Sequence, residues 1–217
     1  MSMSPDDLRQ KLDDLRGELE QLRTAAKVEV TEKICNPAPL GLAGFGLTTL
    51  LLNFVNADII ERESIGMVLP VGLFYGGIAQ FAAGMWEAKK NNTFGFTAFS
   101  SFGAFWLAFG TMILLRDNGA LDPVPLNGLS VFLAGWGLFT TFMFIGTLKI
   151  SRALQVVFAS LAILFFLLAW GERNETVHTI AGWEGIFTAC SALYASAAQV
   201  INETWGKYIL PLGIIKK

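Results

Sequence analysis

The chain is 217 residues long, and 53% of its residues are hydrophobic while only 16% are charged. A soluble domain carries about 25% charged residues, so this composition indicates that most of the chain is solvated by lipid. The formal net charge of -2 offers no basic surface, which excludes nucleic acid as a partner.

The N-terminal arm, residues 1–35, is polar and contains no apolar run of the kind found in a cleavable signal peptide. Within it, five leucines recur at intervals of four and three residues: Leu8, Leu12, Leu15, Leu19 and Leu22. This spacing is typical of a coiled-coil seam. Because the seam lasts only about two heptads and Gly17 interrupts it, an isolated helix would be marginal. Two interpretations stay open: a cytoplasmic bundle formed by several copies, or a solvated helix that frays.

Six apolar blocks follow the arm, each about 18 to 23 residues long, which is enough to cross a hydrocarbon core of about 30 Å. Backbone groups in hydrocarbon must be satisfied within their own segment, so these blocks are predicted to be helices. The predicted spans are 38–55, 65–86, 93–115, 129–148, 153–170 and 183–201. The predicted fold class is therefore an all-α membrane protein with six transmembrane helices and a short N-terminal heptad helix.

The distribution of lysine and arginine predicts the orientation of the spans. If the N-terminus is cytoplasmic, 13 of the 16 basic residues lie in cytoplasmic segments, and the opposite side holds only Arg62, Arg116 and Arg173. The positive-inside rule then places both termini in the cytoplasm of a multi-pass protein of the cell membrane. The predicted organisation is a cytoplasmic arm at 1–35, a transmembrane domain at 36–205 and a cytoplasmic tail at 206–217.

Charged and catalytic signatures are sparse. The sequence has no zinc-protease, nucleophile-elbow or phosphate-loop motif, so we expect no enzyme activity, catalytic residue, metal site or cofactor. Glu184 is the only acidic or basic side chain predicted inside a span, and it lies one residue after the outer start of the sixth span. The single histidine, His178, is predicted in a solvated outer loop. Pumps usually carry chains of such groups at mid-depth, and the sequence predicts no such relay.

Uncharged polar side chains inside the spans are the candidates for contact with a substrate. Thr48 and Thr97 have hydroxyls that can bond to carbonyls of their own helix. The amides of Asn53, Gln80 and Gln155 are expected to need partners beyond their own helix, which favours a position in the bundle interior or along a pathway.

The entry to the first span, Asn36-Pro-Ala-Pro, has two open interpretations. Asparagine can cap the exposed amides of a helix that begins with proline. Those same amides favour an anion, so Asn36 is also a candidate contributor to a cytoplasmic vestibule.

Four sequence blocks resemble those of the acetate uptake transporter family, of the succinate-acetate permease type: Asn36-Pro-Ala-Pro-Leu-Gly-Leu-Ala-Gly-Phe45, Phe74-Tyr-Gly-Gly-Ile-Ala-Gln80, Asn92-Thr-Phe-Gly-Phe-Thr-Ala-Phe99 and Gly146-Thr-Leu-Lys149. The resemblance extends over residues 36–211 and leaves out the leucine arm. It implies a pore in each six-span protomer and assembly as a hexamer. It also implies a hydrophobic constriction at Phe45, Phe102 and Leu161, although a tyrosine is usual where Phe102 stands.

The resemblance implies membrane transport of acetate and related small monocarboxylates, with succinate in some members, by a channel-like or proton-coupled route. The expected partners are small carboxylates, the lipid bilayer and further copies of the chain. The substrate-binding candidates are Asn36, Thr48, Asn53, Gln80, Thr97 and Gln155. Two alternatives remain: a channel for a small neutral solute such as urea, and a scaffold in which the leucine arm is the functional part.

Overall fold

The computed structural model describes residues 4–215, without the side chains of residues 26–33. This part of the chain is helical, with one isolated backbone bridge between Ser151 and Ile214 and no strand. The helices are α1 Pro5–Lys33, α2 Ala38–Asn56, α3 Ile65–Val71, α4 Gln80–Lys89, α5 Thr93–Asp117, α6 Leu126–Thr147, α7 Arg152–Gly171 and α8 Glu175–Thr204. A π-helical segment, Gly72–Ala79, joins α3 to α4 without a break.

Among the described residues, five helical elements are long and apolar enough to cross a membrane. They are Ala38–Asn56, Arg62–Lys89, Thr93–Asp117, Leu126–Thr147 and Arg152–Gly171, which confirms the prediction of an all-α membrane protein for these five. The sixth predicted span lies within α8, which is 30 residues long but is not one of the five.

Helix α8 also begins earlier than the sequence predicts, at Glu175 rather than at residue 183. The side chain of Asn174 accepts a hydrogen bond from the backbone N–H of Val177 at 3.1 Å, and this cap sets the start of the helix. The prediction that His178 lies in a loop is therefore wrong, because His178 is in the first turns of α8.

The helices from α2 to α8 form one unit, while α1 and the residues that follow it up to Asn36 form another. Within the larger unit, α2 packs between α8 and the α3–α4 element, α5 packs on α4, and α6 and α7 pair beside α8. This order closes the helices around a central axis. Helices α5 and α6 pack sparsely against each other, and aromatic rings fill the space between them.

Phe102 lies at the centre of this aromatic cluster. Its ring lies 5.4 to 6.4 Å from five others, centroid to centroid: Phe45, Trp136, Phe139, Phe158 and Phe165. Rings at these separations attract each other through edge and stacking contacts beyond their burial in the core. The cluster therefore holds α2, α5, α6 and α7 around a common point.

The C-terminal segment folds back on the start of α7. The backbone N–H of Ala153 donates to the carbonyl of Leu212 at 3.0 Å, and the Tyr194 hydroxyl donates to the carbonyl of Pro211 at 2.8 Å. The end of α8 and the start of α7 therefore lie at the same end of the bundle.

Four of the basic residues that were counted for the positive-inside rule lie outside the described side chains: Lys27, Lys33, Lys216 and Lys217.

Gly44 marks a close approach between α2 and the π-helical segment. A Cβ atom at this position would lie 2.6 Å from the carbonyl oxygen of Tyr75, a backbone atom that cannot rotate away. We expect Gly44→Ala to lower the stability of the detergent-solubilised protein by about 1–3 kcal/mol, measured by thermal unfolding.

Gly135→Ala is the matched control for this change, because a Cβ atom at Gly135 would have no neighbour within 4 Å. That change should be neutral or stabilise α6 by up to about 1 kcal/mol, since alanine is the better helix former. Equal effects of the two substitutions would contradict the close approach at Gly44.

Candidate functional site

All three residues of the expected constriction line one small cavity at the centre of the bundle. Phe45 from α2, Phe102 from α5 and Leu161 from α7 are buried and line the same space. Its free volume is about 20 Å³, room for about one water molecule. A carboxylic acid with several heavy atoms requires the lining side chains to move apart.

The cavity is also lined by five side chains that the sequence analysis did not identify as candidates: Leu42, Ala98, Phe99, Val157 and Phe158. Each lies three or four residues before Phe45, Phe102 or Leu161 on the same helix. Residues at this spacing share one face of a helix and are neighbours along it. The helical spacing from Phe45, Phe102 and Leu161 was therefore the signal that could have predicted the other apolar lining residues.

Gln80 is the one polar side chain among the residues that line the cavity. It is 1% exposed, and its Oε1 atom has no hydrogen-bond partner within the described part of the chain. Gln80 begins α4 directly after the π-helical segment, and its backbone N–H donates to the carbonyls of Gly77 and Tyr75. A π-helical turn rotates the residues that follow it relative to an α-helix and often occurs at functional sites.

Two other candidates have hydrogen bonds within their own helix. The Thr48 hydroxyl donates to the carbonyl of Gly44 at 2.8 Å, and the Asn53 Nδ2 donates to the carbonyl of Thr49 at 2.8 Å. The Asn53 Oδ1 also accepts a hydrogen bond from the side chain of Asn56 at 3.2 Å. The prediction that the amide of Asn53 needs a partner outside its helix is therefore wrong.

The remaining candidates are not part of the cavity lining. Thr97 is half-buried near the start of α5. Gln155 is half-buried, and its Oε1 accepts a hydrogen bond from Arg152 at 2.8 Å. Asn36 precedes α2, whose N-cap is Pro37 and has no side-chain capping bond. Both interpretations of Asn36, as a cap of exposed amides and as a contributor to a vestibule, stay predictions.

Glu87 lies one residue after the predicted end of the second span, and it is fully buried. Its Oε2 accepts a hydrogen bond from Asn92 Nδ2 at 2.7 Å, while its Oε1 has no hydrogen-bond partner in the described part of the chain. The Asn92 Oδ1 in turn accepts from the backbone N–H of Gly95 at 3.2 Å, which caps α5. Glu87 thus links the end of α4 to the start of α5 through its hydrogen bond with Asn92.

A second, larger cavity lies where α7 ends and α8 begins, with a volume of about 390 Å³. Its charged lining combines three carboxylates with two basic side chains: Asp58, Glu172, Glu175, Arg62 and His178. Because carboxylates outnumber the basic groups, this cavity suits an anion poorly.

Burial raises the pKa of the Glu172 carboxyl above its ordinary value, and the nearby His178 opposes that rise. The folded chain then holds this proton more tightly than the unfolded chain, so stability falls as the pH rises from about 4.3 through the folded-state pKa. We expect Glu172→Gln to raise the thermal midpoint at pH 7 and to leave it unchanged at pH 4.

The matched change at the exposed residue Glu61 is the control for Glu172, and it should alter the midpoint little at either pH. A lower midpoint for Glu172→Gln at pH 7 would mean that the ionised carboxylate stabilises the fold, which is the opposite of the expected sign.

Comparison with known proteins adds to this geometry. Residues 19–213 match the model of the GPR1/FUN34/yaaH family. The chain is 49% identical over 183 residues to the succinate-acetate/proton symporter SatP of Escherichia coli (strain K12), covering 83% of this chain and 96% of that protein. It is 34% identical over 198 residues to acetate permease A of Emericella nidulans, covering 83% of this chain and 66% of the permease.

A solved structure described as that of the bacterial acetate channel SatP has the same fold. It superposes with a TM-score of 0.81 at 49% sequence identity, covering 83% of this chain and 100% of the other. The family match extends over most of this chain, and the relatives agree in sequence and fold. The chain therefore belongs to the GPR1/FUN34/yaaH family.

Proposed function

We propose that this protein transports acetate and related small monocarboxylates across the membrane, through the cavity at the centre of the bundle. The names of the relatives describe a succinate-acetate/proton symporter, an acetate permease and an acetate channel, and these names support acetate as the substrate. They do not favour the alternative of a urea channel. The family consists of transporters and channels, which points to transport and not to catalysis.

One structural observation carries the position of the pathway. Phe45, Phe102 and Leu161 are far apart in the sequence and lie on three different helices, yet they line one cavity. The cavity is narrow and almost entirely apolar. A hydrated ion must lose its water to pass such a point, so the constriction is the main barrier to flux.

The chemistry of the lining favours the neutral acid at this point. An acetate anion brings only acceptor oxygens, and the lining offers no side-chain cation to balance its charge. Acetic acid instead carries an O–H group, and the unpartnered Oε1 of Gln80 can accept that hydrogen bond. The acid then carries its own proton through the constriction, so passage is coupled to protons without a proton-carrying side chain.

This route accounts for the two kinds of name among the relatives, a proton symporter and a channel. A passive pathway for the neutral acid moves one proton with each acetate, which an uptake assay registers as symport. The remaining candidates, Asn36, Thr48, Asn53, Thr97 and Gln155, are proposed to act outside the constriction.

The proposed assembly has α8 as a sixth transmembrane helix, with both termini in the cytoplasm of a cell-membrane protein. Six crossings keep the start of α2 and the end of α8 on one side, in agreement with the contact between the C-terminal segment and the start of α7. The protomers are proposed to form a homo-oligomer, a hexamer, with a separate pathway in each.

The test is uptake of labelled acetate into proteoliposomes at several pH values and imposed membrane potentials. At fixed total acetate, the initial rate should rise as the pH falls toward the acetic acid pKa of about 4 to 5, where the neutral acid becomes abundant. The rate should not respond to the potential. A rate that follows the potential would establish an anion route and contradict passage of the acid.

Urea flux in the same liposomes tests the alternative of a neutral-solute channel. We expect acetate uptake above the rate of protein-free liposomes and no such increase for urea. Urea permeation without acetate uptake would overturn the proposed substrate.

A further inference from the structure

The leucine seam on α1 has no role in the proposed transport pathway. Helix α1 runs from Pro5 to Lys33, and its first turn is closed by a capping box in which Ser4 and Asp7 exchange hydrogen bonds. The five seam leucines are all at least half exposed, from 50% for Leu8 to 69% for Leu22. Leucines at this spacing form a continuous apolar stripe that favours burial.

From these features we propose that α1 forms a parallel, in-register coiled coil with the α1 helices of other copies of this chain. The inference rests on the homo-oligomer proposed above but not on its substrate. The number of strands is the number of protomers in the membrane assembly.

The heptad positions agree with this pairing. Leu8, Leu15 and Leu22 take the d positions, and Leu12 and Leu19 take the a positions. Gly17 then lies at an f position, on the outer side of the proposed coil, and in the single chain a Cβ atom at Gly17 would have no neighbour within 4 Å. The glycine that makes an isolated helix marginal therefore leaves the seam intact.

Tethering to the membrane sets the orientation of the coil. Helix α1 ends at Lys33, and α2 begins at Ala38, only a few residues later. Copies inserted in the same direction therefore have their arms on the same side of the membrane. Each arm is attached at the same residue, so a parallel coil brings equivalent residues side by side. Tethering also raises the effective concentration of the arms, which offsets the weakness of a two-heptad seam.

Charges at the flanking positions agree with a parallel arrangement. In a parallel coil, Glu18 at a g position faces Arg23 at the e position of its neighbour, an attractive pair. Lys11 at a g position faces Arg16 at an e position, which is a repulsive pair of like charges, and Asp13 lies 3.4 Å from Arg16 on the same helix and offsets part of that charge. In an antiparallel pair the e positions face each other, and all three carry arginine: Arg9, Arg16 and Arg23.

The same charges argue against a lipid surface as the partner of the seam. Residues 4–25 contain six acidic and four basic side chains. Helices that lie on the anionic inner leaflet are rich in lysine and arginine on their polar face and often carry tryptophan or phenylalanine on the other. Within residues 4–25, the apolar stripe of α1 consists of leucine and contains no tryptophan or phenylalanine.

Disulfide trapping in the full-length protein tests the coil. The background replaces Cys35 and Cys190, which are free and exposed, by serine. Leu8→Cys and Leu22→Cys place a thiol at each end of the seam, and Gln10→Cys places one at an f position on the outer side. Because a disulfide needs its two Cα atoms within about 7 Å, both seam thiols should cross-link between copies roughly tenfold faster than the outer thiol under mild oxidation.

Every other outcome contradicts the proposal in a defined way. Equal and slow cross-linking at all three positions means that the arms are apart, and equal and fast cross-linking means random collision. Cross-links that form only when Leu8→Cys and Leu22→Cys proteins are assembled together mean an antiparallel pair. Light scattering on the same sample separates two failures: a monomer refutes the homo-oligomer itself, whereas an intact oligomer without seam cross-links refutes only the coil.

The Glu18–Arg23 pair provides a second measurement. Arg23→Glu should slow cross-linking at Leu22→Cys, and adding Glu18→Arg to the same chain should restore the rate. If the second change slows cross-linking further, the two residues do not face each other across the coil and the proposed register is wrong.

Discussion

Replacing Phe45 with alanine should widen the constriction and relax its selectivity for short acids. Phe45 is buried in the cavity lining, and its ring packs 5.8 Å from that of Phe102. Removing it leaves space that a longer acid can enter. We expect the ratio of butyrate uptake to acetate uptake to rise about tenfold, which corresponds to a barrier about 1.4 kcal/mol lower for the longer acid.

The measurement is initial uptake of the two labelled acids into proteoliposomes, normalised to folded protein. Normalisation is needed because a large-to-small change in a core costs about 3–5 kcal/mol of stability. Phe187→Ala is the matched control, since Phe187 is 57% exposed on the surface of α8. An unchanged butyrate-to-acetate ratio in folded Phe45→Ala protein would remove Phe45 from the pathway.

Replacing Gln80 with leucine should move stability and transport in opposite directions. The Gln80 Oε1 is buried without a hydrogen-bond partner, and an unpartnered buried polar group costs about 1–3 kcal/mol. Leucine removes this cost, so the thermal midpoint should stay level or rise. Leucine also removes the only polar contact for an acid in the constriction, so acetate uptake per folded protein should fall about tenfold, a loss of about 1.4 kcal/mol.

Thr140→Val is the matched control for the loss of a buried polar group. Thr140 is fully buried and donates to the carbonyl of Trp136 at 2.7 Å, but it does not line the cavity. This change should lower the midpoint slightly and leave acetate uptake per folded protein unaltered. If Gln80→Leu lowered the midpoint and left uptake per folded protein intact, Gln80 would be a structural residue only.

The sequence predicted the membrane helices well, because length and apolar composition are local properties. It misjudged the ends of the elements where a single side chain decides them. A hydropathy window began the last span at Trp183, whereas the Asn174 cap begins α8 at Glu175. The same window ended the second span at Trp86, whereas α4 continues past it and Glu87 is fully buried with a hydrogen bond from Asn92.

The candidate site was only partly predictable from the residues themselves. Phe45, Phe102 and Leu161 were identified through the family resemblance, because no spacing rule connects positions on three separate helices. Asn53 was misjudged because an asparagine amide can reach the carbonyl four residues earlier on its own helix, a choice that depends on its rotamer. Gln80 was among the candidates, but its place in the cavity depends on the packing of the π-helical segment.

The most direct test of the central claim, that acetate passes through this cavity, is labelled-acetate uptake by Leu161→Phe protein in liposomes. The cavity has about 20 Å³ of free volume, and a phenylalanine ring at this position fills it and crowds Phe45 and Phe102. We expect correctly folded Leu161→Phe protein to lose acetate uptake to the level of protein-free liposomes. Uptake at the rate of the unaltered protein would contradict the proposed pathway, because acetate would then cross by a route that avoids the cavity.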